Sequence, residues 1–141
     1  MNWAIEVEDN PTEEVRAAIL AKLADFNSTQ GYPADVGLAA VVLRGGSGQI
    51  IGGLWGKTVY NWLFVEYLIV PDELRGFNIG TQLMECAEAL AIERDCVGAW
   101  LTTFSFQARS FYEKLGYRVF GELENSPGDN VRIFMRKKLR S

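Results

Sequence analysis

The sequence predicts an α/β domain built on a mixed sheet, and three observations carry that reading. Alternating or β-branched runs are interleaved with stretches of helical periodicity, in the order β-α-β-β-β-α-β-α-β-β. The apolar run Trp62 to Val70 reaches the next strand-like run, Val97 to Thr103, only through a long helical pattern. Those two strands must therefore be parallel, because a crossover of that length returns the chain in the same direction. Leu38–Leu43 and Gln49–Thr58, joined through a glycine-rich turn, read as a hairpin. No repeat or second domain is visible, so residues 1–141 read as one domain, long enough to bury a core without staples.

Trp3 to Glu8 alternates Trp3, Ile5 and Val7 with Ala4, Glu6 and Glu8, the pattern of a half-buried first strand. Asn10, Pro11 and Glu13 then read as a helix start: a cap, a first-turn proline and an acid that bonds back. Val15, Ile19, Leu23 and Phe26 continue at helical spacing to about Asn27. Ser28 to Asp35 is a turn-rich loop. Leu38–Leu43 and Gln49–Thr58 read as strands of a hairpin through Arg44-Gly45-Gly46-Ser47-Gly48. Gly52, Gly53 and Gly56 in the second of them predict bulges or close backbone approach.

Along Trp62–Val70, strict alternation places Trp62, Phe64, Glu66, Leu68 and Val70 on one face, and Leu63, Val65, Tyr67 and Ile69 on the other. Ile79, Leu83, Ala87 and Leu90 form the buried stripe of the next helix, which ends near Arg94. A short helix carrying Ala108, Phe111, Tyr112 and Leu115 stops at Gly116, and Tyr117–Leu123 and Val131–Leu139 complete the strands.

Composition excludes several functions. The chain has no histidine, which removes Ser-His-Asp and Cys-His catalysis and nearly every zinc site, so no metal is expected. A net charge of −4 argues against nucleic acid as a partner. No window approaches the roughly 18 apolar residues of a membrane span, and the N-terminus lacks the layout of a secretory signal, so a cytoplasmic protein is expected. Cys86 and Cys96 lack a CxxC spacing and read as reduced thiols.

The stretch Val65 to Ala91 organises the rest. It joins a strand, a polar loop with Arg75, Gly76 and Gly80, and a helix start. A helix start presents unpartnered N–H groups and the positive end of its dipole, which suits a pyrophosphate. The loop is neither a P-loop nor a dinucleotide fingerprint, and a glycine-assisted turn with an exposed arginine is the plain alternative.

Two motifs extend this local reading. Leu68-Ile69-Val70-Pro71-Asp72-Glu73-Leu74-Arg75-Gly76-Phe77-Asn78-Ile79-Gly80 resembles the acyl-CoA signature Arg/Gln-x-x-Gly-x-Gly/Ala of the GNAT superfamily of N-acetyltransferases. Phe111-Tyr112-Glu113-Lys114-Leu115-Gly116-Tyr117 resembles that family's tyrosine-bearing helix, Tyr-x-Lys-x-Gly-Phe/Tyr. The element order also fits, over roughly Trp3 to Leu139. The resemblance implies a GNAT-like, mostly antiparallel central sheet flanked by helices, with its parallel pair of strands at the acyl-CoA site. It implies acetyl-CoA as co-substrate, with Arg75, Gly76, Phe77, Asn78, Ile79, Gly80 and Thr81 around the pyrophosphate. The backbone of Leu68, Ile69 and Val70 would pair with the pantetheine arm. Tyr112 would protonate the departing thiolate, since a phenol near pKa 10 outlasts a thiol near 8.5.

Asn78 stands where the family has glycine, and asparagine is the substitute that best tolerates the left-handed region. Ser105 stands where many relatives carry a CoA-contacting asparagine, and it also suits a helix cap. Glu66, a carboxylate among large apolar residues, is the candidate base for an amine acceptor, directly or through a water. A buried or edge-facing structural acid is its other reading. Tyr32, Trp55, Trp62 and Phe104 are candidates for lining an acceptor pocket, or for packing.

The predicted reaction is direct attack of a small-molecule or peptide amine on the thioester. Relatives that pair through sheet edges make a homodimer an option. The alternative function is a non-catalytic acyl-CoA sensor, which Asn78 keeps open.

Overall fold

A computed structural model describes residues 2–140. Chain contacts group into two units, Met1–Ala34 and Asp35–Ser141.

The first unit holds one helix, α1 (Glu13–Thr29). It begins two residues later than the sequence suggests. Thr12, not Asn10, is the N-cap and makes no side-chain cap bond, while Glu13 and Glu14 place acid against the dipole. Trp3 to Glu8 belongs to no strand, which corrects the alternation-based expectation. Alternation describes which side chains share a face, but a strand exists only where a neighbour satisfies its N–H and C=O groups. No ladder among the described residues includes this segment.

The second unit is a six-stranded sheet of order β1-β2-β3-β4-β6-β5. Its strands are β1 (Gly37–Arg44), β2 (Ile50–Val59), β3 (Trp62–Ile69), β4 (Gly98–Phe104), β5 (Arg118–Leu123) and β6 (Arg132–Lys138). Helices α2 (Ile79–Glu93) and α3 (Arg109–Lys114) join β3 to β4 and β4 to β5. β3 and β4 are parallel, as predicted, and every other pair is antiparallel.

Tyr60 and Asn61, at φ 48° and 71°, turn β2 into β3 within two residues, with Val59 opposite Trp62. Successive positive φ values match the right-handed twist of a hairpin. The glycines of β2 serve close approach. A Cβ on Gly56 would run into the Phe64 carbonyl oxygen, and one on Gly53, at φ 143°, into that of Val41.

One face of the sheet carries the core. Leu54, Leu63, Val65, Ala99, Leu101, Ile133 and Met135 meet Leu83, Met84, Ala87 and Ala91 of α2 and Tyr112 of α3. Burial at this scale, about 25 cal/mol per Å² of apolar surface, is the main favourable term. Within this core Glu88 is also buried. It accepts the Tyr117 hydroxyl hydrogen bond at 2.8 Å and pairs with Lys137 at 2.8 Å, so α2 is tied to the last two strands.

Strict alternation fails along β3. Trp55 of β2 pairs with Tyr67 and the next residue, Gly56, pairs with Val65, leaving Glu66 as the extra residue of a β-bulge. The faces therefore swap at Glu66. Leu63, Val65 and Leu68 share one register, while Phe64 and Tyr67 share the other, which corrects the grouping of Tyr67 with Val65. The outward side is consistent with this, since Trp55, Tyr67 and Ile69 are all exposed.

Candidate active site

The bulge positions the site. Before it, Trp62–Val65 of β3 pairs residue by residue with Gly98–Leu101 of β4. Beyond Val65 and Leu101 the two parallel strands share no further pairs, although both continue, to Ile69 and Phe104. An extra residue on one strand increases local twist and bends it away from its neighbour. The result is a wedge between two strand ends, each with backbone N–H and C=O groups that no ladder consumes.

A cleft of about 1100 Å³ occupies this wedge. Its walls include Val65 to Ile69 of β3 with Val70 just after it, Leu101 to Thr103 of β4, and Phe111, Tyr112 and Leu115 on and just after α3. Its far end is the loop with Arg75 and Gly76 and the start of α2, from Asn78 to Thr81.

The helix start has the geometry of an anion site. Asn78 is the N-cap of α2 in the left-handed region, φ 65° and ψ 21°, as its tolerance of that region predicts. The first intrahelical bond runs from the Gln82 N–H to the Asn78 carbonyl at 3.2 Å, so the N–H groups of Ile79, Gly80 and Thr81 point out of the helix without intrahelical acceptors. Gly80 lets α3 come close: a Cβ there would lie 3.1 Å from the Phe111 ring. Gly76 supplies a left-handed turn at φ 89° in open space. Arg75 forms an exposed pair with Asp72 at 3.0 Å, a surface contact of small energy that leaves the guanidinium exchangeable.

Tyr112 is 9% exposed and sits edge-on to Phe111 and Tyr117, with centroids 5.0 and 6.1 Å away. Burial raises its pKa above 10 by disfavouring the phenolate. Its hydroxyl has no hydrogen-bond partner among the described residues. Tyr117 is raised further, by burial first and then by the charge and hydrogen bond of Glu88. Glu66 is half-buried on the opposite wall, with no ion pair or hydrogen bond to its carboxylate among the described residues.

The cleft thus brings together Glu66, Leu68, Ile69, Val70, Arg75, Gly76, Asn78, Ile79, Gly80, Thr81 and Tyr112. Phe77 and Ser105 do not line it. Phe77 is exposed. The Ser105 hydroxyl donates to Asn130 at 3.1 Å and accepts the Val131 N–H at 2.9 Å, which fastens the end of β4 to the start of β6. Nor does Ser105 cap α3, whose N-cap is Ala108. Trp55, Trp62 and Phe104 lie outside the lining, and Tyr32 belongs to the first unit.

Sequence reasoning missed Phe106 and Gln107, which do line the cleft. The Gln107 side-chain oxygen accepts from the Phe104 N–H at 3.1 Å and the Thr103 hydroxyl at 3.3 Å, holding the turn before α3. A glutamine two residues before a helix carries no pattern that announces this. Both cysteines are free, Cys86 exposed and Cys96 buried, and neither touches the cleft. Among the described residues no group of three acidic or cysteine side chains is placed to hold a metal ion, and no helix is long and apolar enough to cross a membrane.

Comparison with known proteins agrees with this geometry. Residues 3–117 match the model of the acetyltransferase (GNAT) family. An acetyltransferase of Agrobacterium fabrum is 32% identical over 87% of this chain and 88% of its own length. The blasticidin-S acetyltransferase of Streptomyces morookaense is 38% identical over 67% of this chain and 71% of its own. A crystal structure of an Agrobacterium tumefaciens acetyltransferase superposes with a TM-score of 0.87 at 29% identity, covering 98% of this chain and 99% of that one. With the parallel strand pair, the splayed wedge and the helix start in place, the chain belongs to the acetyltransferase (GNAT) family of acetyl-CoA-dependent acyltransferases.

Proposed function

We propose that the protein moves the acetyl group of acetyl-CoA onto a primary amine by direct attack, residues 1–141 acting as one acetyltransferase domain. The observation that carries this reading is that Glu66 and Tyr112 line one cleft, between strand ends whose backbone is unpaired. The relative named blasticidin-S acetyltransferase supports a small-molecule acceptor.

The residues fit acetyl-CoA. The N–H groups of Ile79, Gly80 and Thr81, with Arg75 and the turn at Gly76 and Asn78, form a cradle for a pyrophosphate. The free backbone edge of Leu68, Ile69 and Val70 matches an extended amide-bearing arm, in the manner of an added strand. The thioester supplies an electrophilic acyl carbon and a sulfur leaving group.

Glu66 accepts the proton that an ammonium acceptor must lose before it attacks, directly or through one water. A backbone N–H at the β3 end donates to the carbonyl oxygen as negative charge develops there, an effect commonly worth a few kcal/mol. Tyr112 gives its proton to the departing sulfur. Its raised pKa keeps it protonated at neutral pH, so the donor form is present there. The acceptor nitrogen bonds to the acyl carbon as the carbon–sulfur bond breaks. The nitrogen's second proton then leaves and the Tyr112 phenolate is reprotonated, and no enzyme-bound acyl group is needed.

The test is incubation with acetyl-CoA and a broad amine panel, following thiol release. Turnover with at least one amine supports the reading. Tight CoA binding without thiol release across the panel overturns it in favour of an acyl-CoA sensor.

A further inference from the structure

Arg132 is unlike every other arginine of the chain. It is the single arginine among the described residues that is not exposed. It also lacks a carboxylate partner: Arg16, Arg75, Arg109 and Arg140 each pair with an acid, and Arg44, Arg94, Arg118 and Arg136, which do not, are exposed to solvent. The side chain opens β6 opposite Phe104 of β4. Its Nη2 donates to the Thr102 hydroxyl at 3.0 Å. The guanidinium carbon lies 5.6 Å from the ring centroids of both Phe104 and Phe134. Its Nε is sealed from solvent with no acceptor among the described residues.

Each of these contacts holds the cation, and none neutralises it. Two aromatic rings and a neutral hydroxyl orient a planar guanidinium, but a withdrawn charge with an unsatisfied donor is costly unless an anion completes it. Guanidinium donors in a fixed fork match a carboxylate, which can accept two parallel hydrogen bonds. The place is informative as well. Thr102, one hydrogen bond away, is itself part of the cleft wall, on the strand facing Glu66 across the wedge.

We propose that Arg132 is a specificity-determining residue that binds a carboxylate of the acceptor, so that the preferred substrate is an amine that also carries an acid group. This rests on the amine-acetylation reading above and narrows its substrate class. One end of the acceptor presents its amine to Glu66, and the other is read by the arginine fork at the start of β6.

The experiment uses ω-amino acids from β-alanine to 6-aminohexanoate, each matched with its own carboxamide, in the thiol-release assay at saturating acetyl-CoA. For at least one chain length the wild type should favour the acid over the amide by about 10- to 100-fold in kcat/KM, the span of a charged hydrogen bond. Arg132→Met should erase that preference through KM, lowering kcat/KM for the acid at least tenfold more than for the amide. Arg132→Lys, which keeps the charge without the fork, should retain part of it. Equal stabilisation of both variants by CoA in thermal melts checks the fold. If the methionine variant does not fold, a preference reduced at least threefold in the lysine variant carries the test. No preference in the wild type, or one that survives Arg132→Met, overturns the proposal.

If neither member of any pair is acetylated, the broad amine panel alone decides the amine reading, and binding decides the role of Arg132. A melting temperature raised by the acids and not by the amides, in the wild type but not in Arg132→Met, supports carboxylate recognition. Equal shifts overturn it.

Discussion

The two halves of β3 differ more than their sequences suggest. Trp62–Val65 and Glu66–Ile69 are both apolar runs with one polar residue at most, yet the first is paired on both sides and the second on one. In the closed half the ladder with β4 is complete, and Leu63 and Val65 are among the most buried side chains of the chain. In the open half the same backbone faces a cleft. One inserted residue, Glu66, separates a half that holds the fold together from a half that is free to hold a ligand. The contrast predicts that substitutions in the open half act on turnover, and those in the closed half on stability.

The largest effect should come from Tyr112→Phe, which keeps the ring packing against Phe111 and Tyr117 and removes only the proton. Turnover should fall about 10²–10⁴-fold, or roughly 3–5 kcal/mol of barrier, with CoA-induced thermal stabilisation unchanged. Near-normal turnover would make Tyr112 a core residue and leave the cleft beside the open half without its proton donor. Glu66→Gln should lower kcat/KM about 10²-fold at neutral pH. The deficit should shrink as pH rises, because more of the amine is already unprotonated. A deficit that is constant with pH would give Glu66 a structural rather than a proton-accepting role.

Gly56→Ala probes the closed half. Its Cβ would meet the Phe64 carbonyl oxygen, so β2 and β3 must separate. A loss of about 2–3 kcal/mol in urea unfolding is expected, from overpacking against backbone that cannot rotate away. Turnover of the protein that remains folded should be close to normal. A loss of activity without a loss of stability would mean that the two halves are not independent.

Two tyrosines of the core, beside both halves, give one pH signature. Tyr112 and Tyr117 each have a pKa raised above 10, Tyr117 through burial and then Glu88. The unfolded chain releases these protons near pH 10 and the folded chain holds them, so stability is unaffected by them below pH 10 and falls as pH rises beyond it. Urea midpoints taken between pH 8 and 11 should be flat and then decline. Tyr117→Phe should soften the decline, while costing about 1.5–3 kcal/mol at neutral pH through the lost hydrogen bond to Glu88.

The sequence showed the fold most clearly where local pattern and long-range partner agree. The helical stripe of α2, the crossover that makes β3 and β4 parallel, and the glycine stop after α3 are each read from neighbours in sequence. Trp3–Glu8 was illegible for the opposite reason: its alternation is as regular as that of any strand, but pairing depends on a partner that alternation does not name. The bulge was hidden because a single extra residue leaves composition unchanged and shifts only register. The cleft was legible through Arg75–Thr81 and Tyr112, which lie in motifs. Gln107 and Arg132 act through contacts with residues distant from any motif, and only the folded chain brings those together.

Asn78 gives the smallest expected effect and the finest division of the open half. A left-handed residue costs roughly 1–2 kcal/mol for most side chains, less for asparagine and almost nothing for glycine. Asn78, at φ 65°, has no side-chain cap bond to lose. Asn78→Ala should therefore destabilise by about 1 kcal/mol, and Asn78→Gly should stay within a few tenths of the wild type. If the cradle works through backbone amides, CoA affinity in the glycine variant should be unchanged or tighter, since closer approach becomes easier. A large loss of affinity in that variant, with stability intact, would assign the phosphate contact to the asparagine side chain. The open half would then bind its ligand by a chemistry that the family's glycine does not provide.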